Sequence, residues 1–266
     1  MAARKRISSP ETRETEAFES SSSGIRVIAR AAEILRVLGQ NPDGLSIREI
    51  GKSIGVPRST VQRMVEALDK ESLVISASIN GGVRLGPGLI ALAALAKPFN
   101  VVEIAYPVIR QLAKDLGETV DLTVLDRDQM VVVDQAPGIH PLRAVSYVGG
   151  TLPLHCTATG KAVLAVLSDE QLAKLRKTLK LEPRTKNTIL QWEKLDRELQ
   201  WIRKHGFAYD REESFEGICA VGVALVGRSG EFAALSVPVP SKRFADIEKV
   251  LISEVMDRCK QLQRRF

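Results

Sequence analysis

Arg58, Ser59, Thr60, Gln62 and Arg63 surround a single apolar residue, Val61, and together make a set able to read nucleic-acid bases. Arginine can bridge N7 and O6 of guanine, glutamine does the same for adenine, and small hydroxyls suit bases or phosphates. Any solvated helix face could carry these residue types, so their meaning depends on the elements around them. A second chemical segment is GGTLPLHCTATGKAVLA, Gly149 to Ala165. A phosphate loop of the form GxxxxGK[ST] would need glycine at His155 and a hydroxyl at Ala162, so that reading fails. Adjacent His155 and Cys156 suggest a thiol nucleophile, but sequence neighbours need not face each other and a packed, inert cysteine is the favoured reading. The remaining feature is a loop of small hydroxyl residues leading into a helix N-terminus, whose free N–H groups and positive dipole end would suit a small carboxylate. A third segment, YDREESFEG from Tyr209 to Gly217, offers Asp210 and Glu212 to a ligand hydroxyl or a structural water, with a solvated acidic loop as the alternative. The histidines lie far apart and no HxxxH or CxxC spacing exists, so no metal site is expected.

The elements around the first set are those of a DNA reader. Ala31, Ile34, Leu35 and Leu38 repeat at 0, 3, 4, 7 before Gly39, which predicts a first amphipathic helix. Ser46 caps a second, with Glu49 completing a capping box, Ile47, Ile50 and Ile54 on its stripe and Gly55 as its stop. Pro57 opens a third through Val61, Met64, Val65 and Leu68, leaving the five polar residues on the outer face. Leu73 to Ile75 and Val83 to Leu85, joined through Asn80, Gly81 and Gly82, predict a hairpin. Three helices and a hairpin make a winged helix-turn-helix, in which the third helix occupies the groove-reading position. Ser46, Arg48 and the wing residue Arg84 are then placed to contact phosphates.

Past Gly88, LIALAALA (Leu89 to Ala96) has no polar face and is expected to bury against a partner subunit. A helix over about Val101 to Leu116 follows, then a strand pair around Val120 to Val133. Further strands are expected near Leu142–Val148, Ala220–Val226 and Phe232–Val239. Helices are expected near Thr159–Leu167, Asp169–Leu179, Leu190–His205 and Ala245–Arg265. Strands at both ends with helices between predict an α+β second domain.

Composition narrows the function classes. The 266 residues are 44% hydrophobic and 26% charged, ordinary globular values that argue for about two domains. The longest apolar run is the eight residues Leu89 to Ala96, far short of the ~18 that cross a bilayer. Three cysteines without a CxxC pair fit a reducing, cytoplasmic setting. Residues 25–86 hold nine basic and six acidic groups, and no Phe, Tyr or Trp occurs between Phe18 and Phe99, so duplex DNA suits this segment better than unpaired bases. Residues 1–24 are too polar to repay ordering and are expected to be a mobile tail in which Arg4, Lys5 and Arg6 could brush phosphates.

IREIGKSIGVPRSTVQRMVEAL, VRLGPGLIALA, LPLHCTATGKAVLA, REESFEGICAVGVAL and FAALSVPVP together resemble the IclR family of bacterial transcriptional regulators, over about residues 25 to 265. The resemblance implies a winged helix over 25–86, a linker helix over 87–99 and a GAF-like effector-binding and oligomerisation domain over 100–266, assembled as a homodimer or tetramer. It places Thr157, Ala158, Thr159, Asp210, Ala220 and Ser236 at effector-contact positions. Ala220 stands where relatives carry Cys, with Cys219 shifted by one residue, and Pro238 stands where relatives often have a second serine. Both changes favour a more apolar or aromatic effector over a small keto acid. The resulting expectation is a ligand-responsive regulator, with repression the favoured direction. It binds palindromic operator DNA, uses no cofactor or metal, has no catalytic residue and makes no membrane contact. Its rivals are an enzyme built on Cys156 and His155, and a constitutive DNA-binding protein whose second domain only oligomerises.

Overall fold

The structure, a computed structural model, describes residues 26–76, 82–95, 100–144, 146–228 and 230–266. The expected tail and the tip of the wing at Asn80 and Gly81 lie outside them. The chain divides into two compact units, one ending at Lys97 and one beginning at Pro98.

In the first unit, helix α1 (26–39) buries Ile34 and Leu38 against α2 (Ile47–Ile54) and α3 (Arg58–Lys70). The capping box forms as the sequence implies: Ser46 Oγ accepts from the Glu49 amide, and Glu49 Oε2 accepts from the Ser46 amide at 2.8 Å. Gly55 ends α2 at φ 64°, a left-handed conformation in which glycine is unstrained. Strands β1 (Val74–Ile75) and β2 (Arg84–Leu85) pair antiparallel, and Leu45 bridges Val83 to widen the wing's base. Helix α4 (Gly88–Leu95) follows without a buried residue.

The second unit is built on a six-stranded, wholly antiparallel sheet of order β5-β4-β3-β8-β7-β6. Its strands are β3 (Val120–Asp126), β4 (Gln129–Ala136), β5 (Thr151–Pro153), β6 (Ala208–Arg211), β7 (Ile218–Val226) and β8 (Phe232–Pro240). One face is covered by α5 (Asn100–Leu116) and α9 (Ser241–Gln263), through a core that includes Ile109, Leu122, Val221, Leu235, Val237 and Leu251. The other face carries α6 (Ala158–Val166), with α8 (Trp192–His205) packed on it, around Met130, Leu164, Leu199 and Ala234. Helix α7 (Asp169–Arg176) closes that layer through Leu172.

One expected strand is absent. Residues 142–144 and 146–148 run as irregular chain, and it is Gly149 and Gly150, just after them, that reach the ladder: the Gly149 amide donates to Val132 O and the Val132 amide to Gly150 O. The edge strand is instead the short β5, and α9 begins at Ser241, immediately after Pro240, rather than at Ala245.

Candidate functional site

The first unit presents its polar set on one side of α3. Val61, Met64, Val65 and Leu68 are buried, so the helical repeat turns Arg58, Ser59, Gln62 and Arg63 to solvent and leaves Thr60 half-buried. Arg48 on α2 and Arg84 on β2 are also exposed. Arg48, Arg58, Arg63 and Arg84 make no ion pair among the described residues, leaving their guanidinium groups available to phosphates or base edges. Two members of the set are partly engaged already. Gln62 Nε2 donates to Glu66 Oε1 at 2.8 Å, which occupies one of its two N–H groups and leaves the other and the amide oxygen free among the described residues. Ser46 Oγ serves its own helix as a cap, so its phosphate contact would have to come from its O–H.

In the second unit the six positions singled out in the sequence, Thr157, Ala158, Thr159, Asp210, Ala220 and Ser236, all line one cavity of about 500 Å³. Sheet register brings them there. Asp121 pairs with Ser236 and Ser236 with Gly222 in one cross-strand row, while Pro238, Ala220 and Asp210 form the row two residues along. Side chains two apart on a strand share a face, so both rows point the same way. The start of α6 stands over them. A Cβ on Gly222 would lie 2.8 Å from Ala158 C, and one on Gly160 would lie 2.4 Å from Leu154 Cα, so both close approaches require glycine.

Thr157 caps α6: its Oγ1 donates to Pro153 O at 2.6 Å and accepts from the Gly160 amide at 3.1 Å. The Ala158 and Thr159 amides remain without an acceptor among the described residues, as the first turn of a helix requires. Asp210 is largely consumed by its own loop. Its Oδ1 accepts from the Glu213 and Ser214 amides, and its Oδ2 from Ser214 Oγ. This carboxylate therefore shapes the 210–216 loop, whose Ser214, Phe215 and Glu216 form a wall of the cavity. Arg143, Ala144, Ser146 and Tyr147 supply another wall.

Among the buried charges that sequence reasoning missed, Asp121 and Lys161 bear most directly on the cavity. Asp121 is 3% exposed and lines the cavity; Ser146 Oγ and Gln135 Nε2 donate to its Oδ1 at 2.5 and 2.9 Å. Its signal was a charged residue within an otherwise alternating apolar strand. Lys161 is fully buried, with Nζ 2.5 Å from Glu213 Oε1 and 3.3 Å from Glu198 Oε1. Its signal was a lone cation inside TGKAVLAV, with acids waiting in REESFEG. Burial pushes the carboxyls of Asp121, Asp210 and Glu213 above the usual range.

The thiol reading finds no support. Cys156 is fully buried, and burial together with nearby Asp210 and Glu213 pushes its pKa up to about 12, so the thiolate is scarce at neutral pH. His155 is occupied elsewhere, with Nε2 2.9 Å from Glu182 O, and burial pushes its pKa down. Among the described residues no cluster of His, Cys, Asp and Glu could hold a metal, and no helix is long and apolar enough to cross a membrane.

Comparison with known proteins agrees with this two-part architecture. Residues 27–74 match the IclR helix-turn-helix domain and residues 93–264 match the family described as Bacterial transcriptional regulator IclR C-terminal. The chain is 48% identical to the HTH-type transcriptional regulator Rv1719 of Mycobacterium tuberculosis, over 90% of this chain and 91% of that protein. It is 28% identical to the Transcriptional repressor IclR of Escherichia coli, over 84% of this chain and 82% of that one. In fold it resembles an IclR homologue from Microbacterium hydrocarbonoxydans crystallised with 4-hydroxybenzoate, at 20% identity and a TM-score of 0.73, covering 90% of this chain and 100% of that one.

Proposed function

The chain belongs to the IclR family of bacterial transcriptional regulators, and on that premise we propose that it is a cytoplasmic, homo-oligomeric regulator that holds a small organic effector in the second unit and adjusts operator binding by the first. The observation that carries this reading is the convergence of Thr157, Ala158, Thr159, Asp210, Ala220 and Ser236 on one cavity. A space of about 500 Å³ is within the ~300–1,000 Å³ usual for small-molecule sites. Its lining mixes aliphatic and aromatic side chains with a few polar groups, which suits an aromatic metabolite of mainly apolar character. The ligand named for the Microbacterium fold-mate shares the aromatic ring, although it also carries a carboxylate.

On the DNA side, Arg58, Ser59, Thr60, Gln62 and Arg63 are assigned to base edges, and Ser46, Arg48 and Arg84 to phosphates. Helix α4 supports assembly: Ile90, Leu92 and Leu95 are 75%, 57% and 84% exposed within the single chain, a pattern that calls for burial by another copy. A symmetric dimer would read a palindrome whose half-sites lie about 34 Å apart or a multiple of it. Repression is the direction favoured by the named repressor among its relatives.

Effector action needs only differential affinity: tenfold tighter binding to the DNA-incompetent state shifts the equilibrium by roughly 1.4 kcal/mol. The test is operator binding measured with and without compounds that raise the melting temperature. Thr159→Val and Ser236→Ala should lose the effector response while binding the operator normally. Retention of full sensitivity by both variants would overturn the cavity assignment, and operator affinity independent of every stabilising compound would favour the constitutive rival.

A further inference from the structure

We propose that Asp121 selects the ligand of this cavity, and that the ligand carries a hydrogen-bond donor, a hydroxyl or an amine, on a largely apolar body in place of a free carboxylate. The inference rests on the reading of the cavity as the effector site and adds the chemical class of the effector.

Asp121 has unused bonding capacity. Asp121 Oδ1 is engaged by Ser146 and Gln135, but Oδ2 has no partner among the described residues, although the residue is 3% exposed and lines the cavity. That oxygen is open to the cavity rather than sealed in the core, so it is an acceptor that a ligand donor can reach. Asp210, the other buried carboxylate that lines the cavity, lacks this property because its own loop supplies three donors. Ser236 sits directly across from Asp121 in the β3–β8 register, 5% exposed and likewise without a partner among the described residues. Side chains paired across strands stand roughly 5 Å apart, close enough for one polar group of a ligand to meet both.

The second line is charge. Asp121, Asp210 and Glu216 line the cavity against a single cation, Arg143. Arg143 is exposed, so a carboxylate could be paired only at the mouth, and its guanidinium already donates to His140 O at 3.3 Å. The α6 N-terminus contributes only about half a positive charge. The loop and helix that suggested a small carboxylate in the sequence are present, but the acids on the facing sheet outweigh them.

The test uses the full-length protein and three matched probes: 4-tert-butylphenol, 4-tert-butylbenzylamine and 4-tert-butylbenzoate, titrated calorimetrically. Wild type should bind the phenol or the amine at least tenfold tighter than the benzoate. Asp121→Asn should narrow that gap at least tenfold, by weakening the donors and admitting the acid. Equal or tighter binding of the benzoate to wild type overturns the inference without needing any variant, and so does an unchanged ranking in Asp121→Asn. Ala220→Phe, which projects a ring into the cavity, distinguishes this failure from that of the underlying reading. If Ala220→Phe leaves binding intact, the probes do not occupy the cavity and the underlying reading falls with the inference; if wild type binds none of the three, the proposed ligand class is wrong.

Discussion

Lys161 Nζ lies 2.5 Å from Glu213 Oε1 with the lysine fully enclosed, so the helix that roofs the cavity is tied by a buried ion pair to the loop that walls it. Removing one partner of such a pair leaves an uncompensated charge, which typically destabilises by about 3–5 kcal/mol. Glu213→Ala should therefore lower stability by about that much in urea denaturation. Glu198→Ala, removing the longer 3.3 Å contact from a side chain 31% exposed, should cost about 1 kcal/mol or less. The double variant Lys161→Met/Glu213→Leu should recover much of the loss. Equal effects of Glu213→Ala and Glu198→Ala would show that the buried carboxylate has no special hold on the lysine.

On the DNA face, Arg63→Ala should weaken specific operator binding by roughly 1–3 kcal/mol while barely changing non-specific binding. Arg84→Ala should weaken both and reduce the slope of log K against log salt by about one. An unchanged salt slope would remove the wing arginine from the phosphate contacts.

Helix α4 offers a direct assay of assembly. Ile90→Glu with Leu95→Glu places charge on its two most exposed apolar side chains, and sedimentation should report a smaller species than wild type at the same concentration. Oligomers that persist unchanged would mean another surface joins the subunits.

All three cysteines, Cys156, Cys219 and Cys259, are buried, and burial pushes each thiol above its ordinary value. Native protein at pH 8 should show no rapidly reacting thiol towards Ellman's reagent, and denatured protein should show three. A single fast thiol in the native state would revive the nucleophile reading.

Asp121 also makes a pH prediction. Its folded-state pKa is raised by burial, so the folded chain holds this proton more tightly than the unfolded chain does. The associated stability is fully present below the unfolded value of about 3.9 and is lost as pH rises through the folded value. Asp121→Asn, which keeps an acceptor for Ser146 and Gln135, should accordingly melt higher than wild type at neutral pH. The difference should shrink as pH is lowered towards about 4. A difference independent of pH would mean that ionisation of Asp121 is not its source.

The recognition unit was readable because its signals are local: a cap at Ser46, a stop at Gly55 and a stripe from Val61 to Leu68 each lie within one or two helical turns. The cavity was readable only in part. Thr157 to Thr159 announce a helix start, but the pairing of Asp121 with Ser236 joins residues 115 positions apart, and no local pattern encodes that register. The segment 142–148 misled because its composition suits a strand, whereas the backbone groups that reach the ladder belong to the glycines beside it. Lys161 escaped notice because a buried cation is legible only once its acid is known to face it.

The alternation of side chains across β3, β7 and β8 has a practical meaning for sensor engineering. Asp121, Ala220, Ser236 and Pro238 face the cavity, while their immediate neighbours Leu122, Cys219, Val221, Leu235, Val237 and Val239 belong to the core on the opposite face. A combinatorial library confined to the first set would vary the recognition surface without disturbing the packing of the second. Reporter strains responsive to new compounds could then be selected from one scaffold whose DNA specificity is left intact.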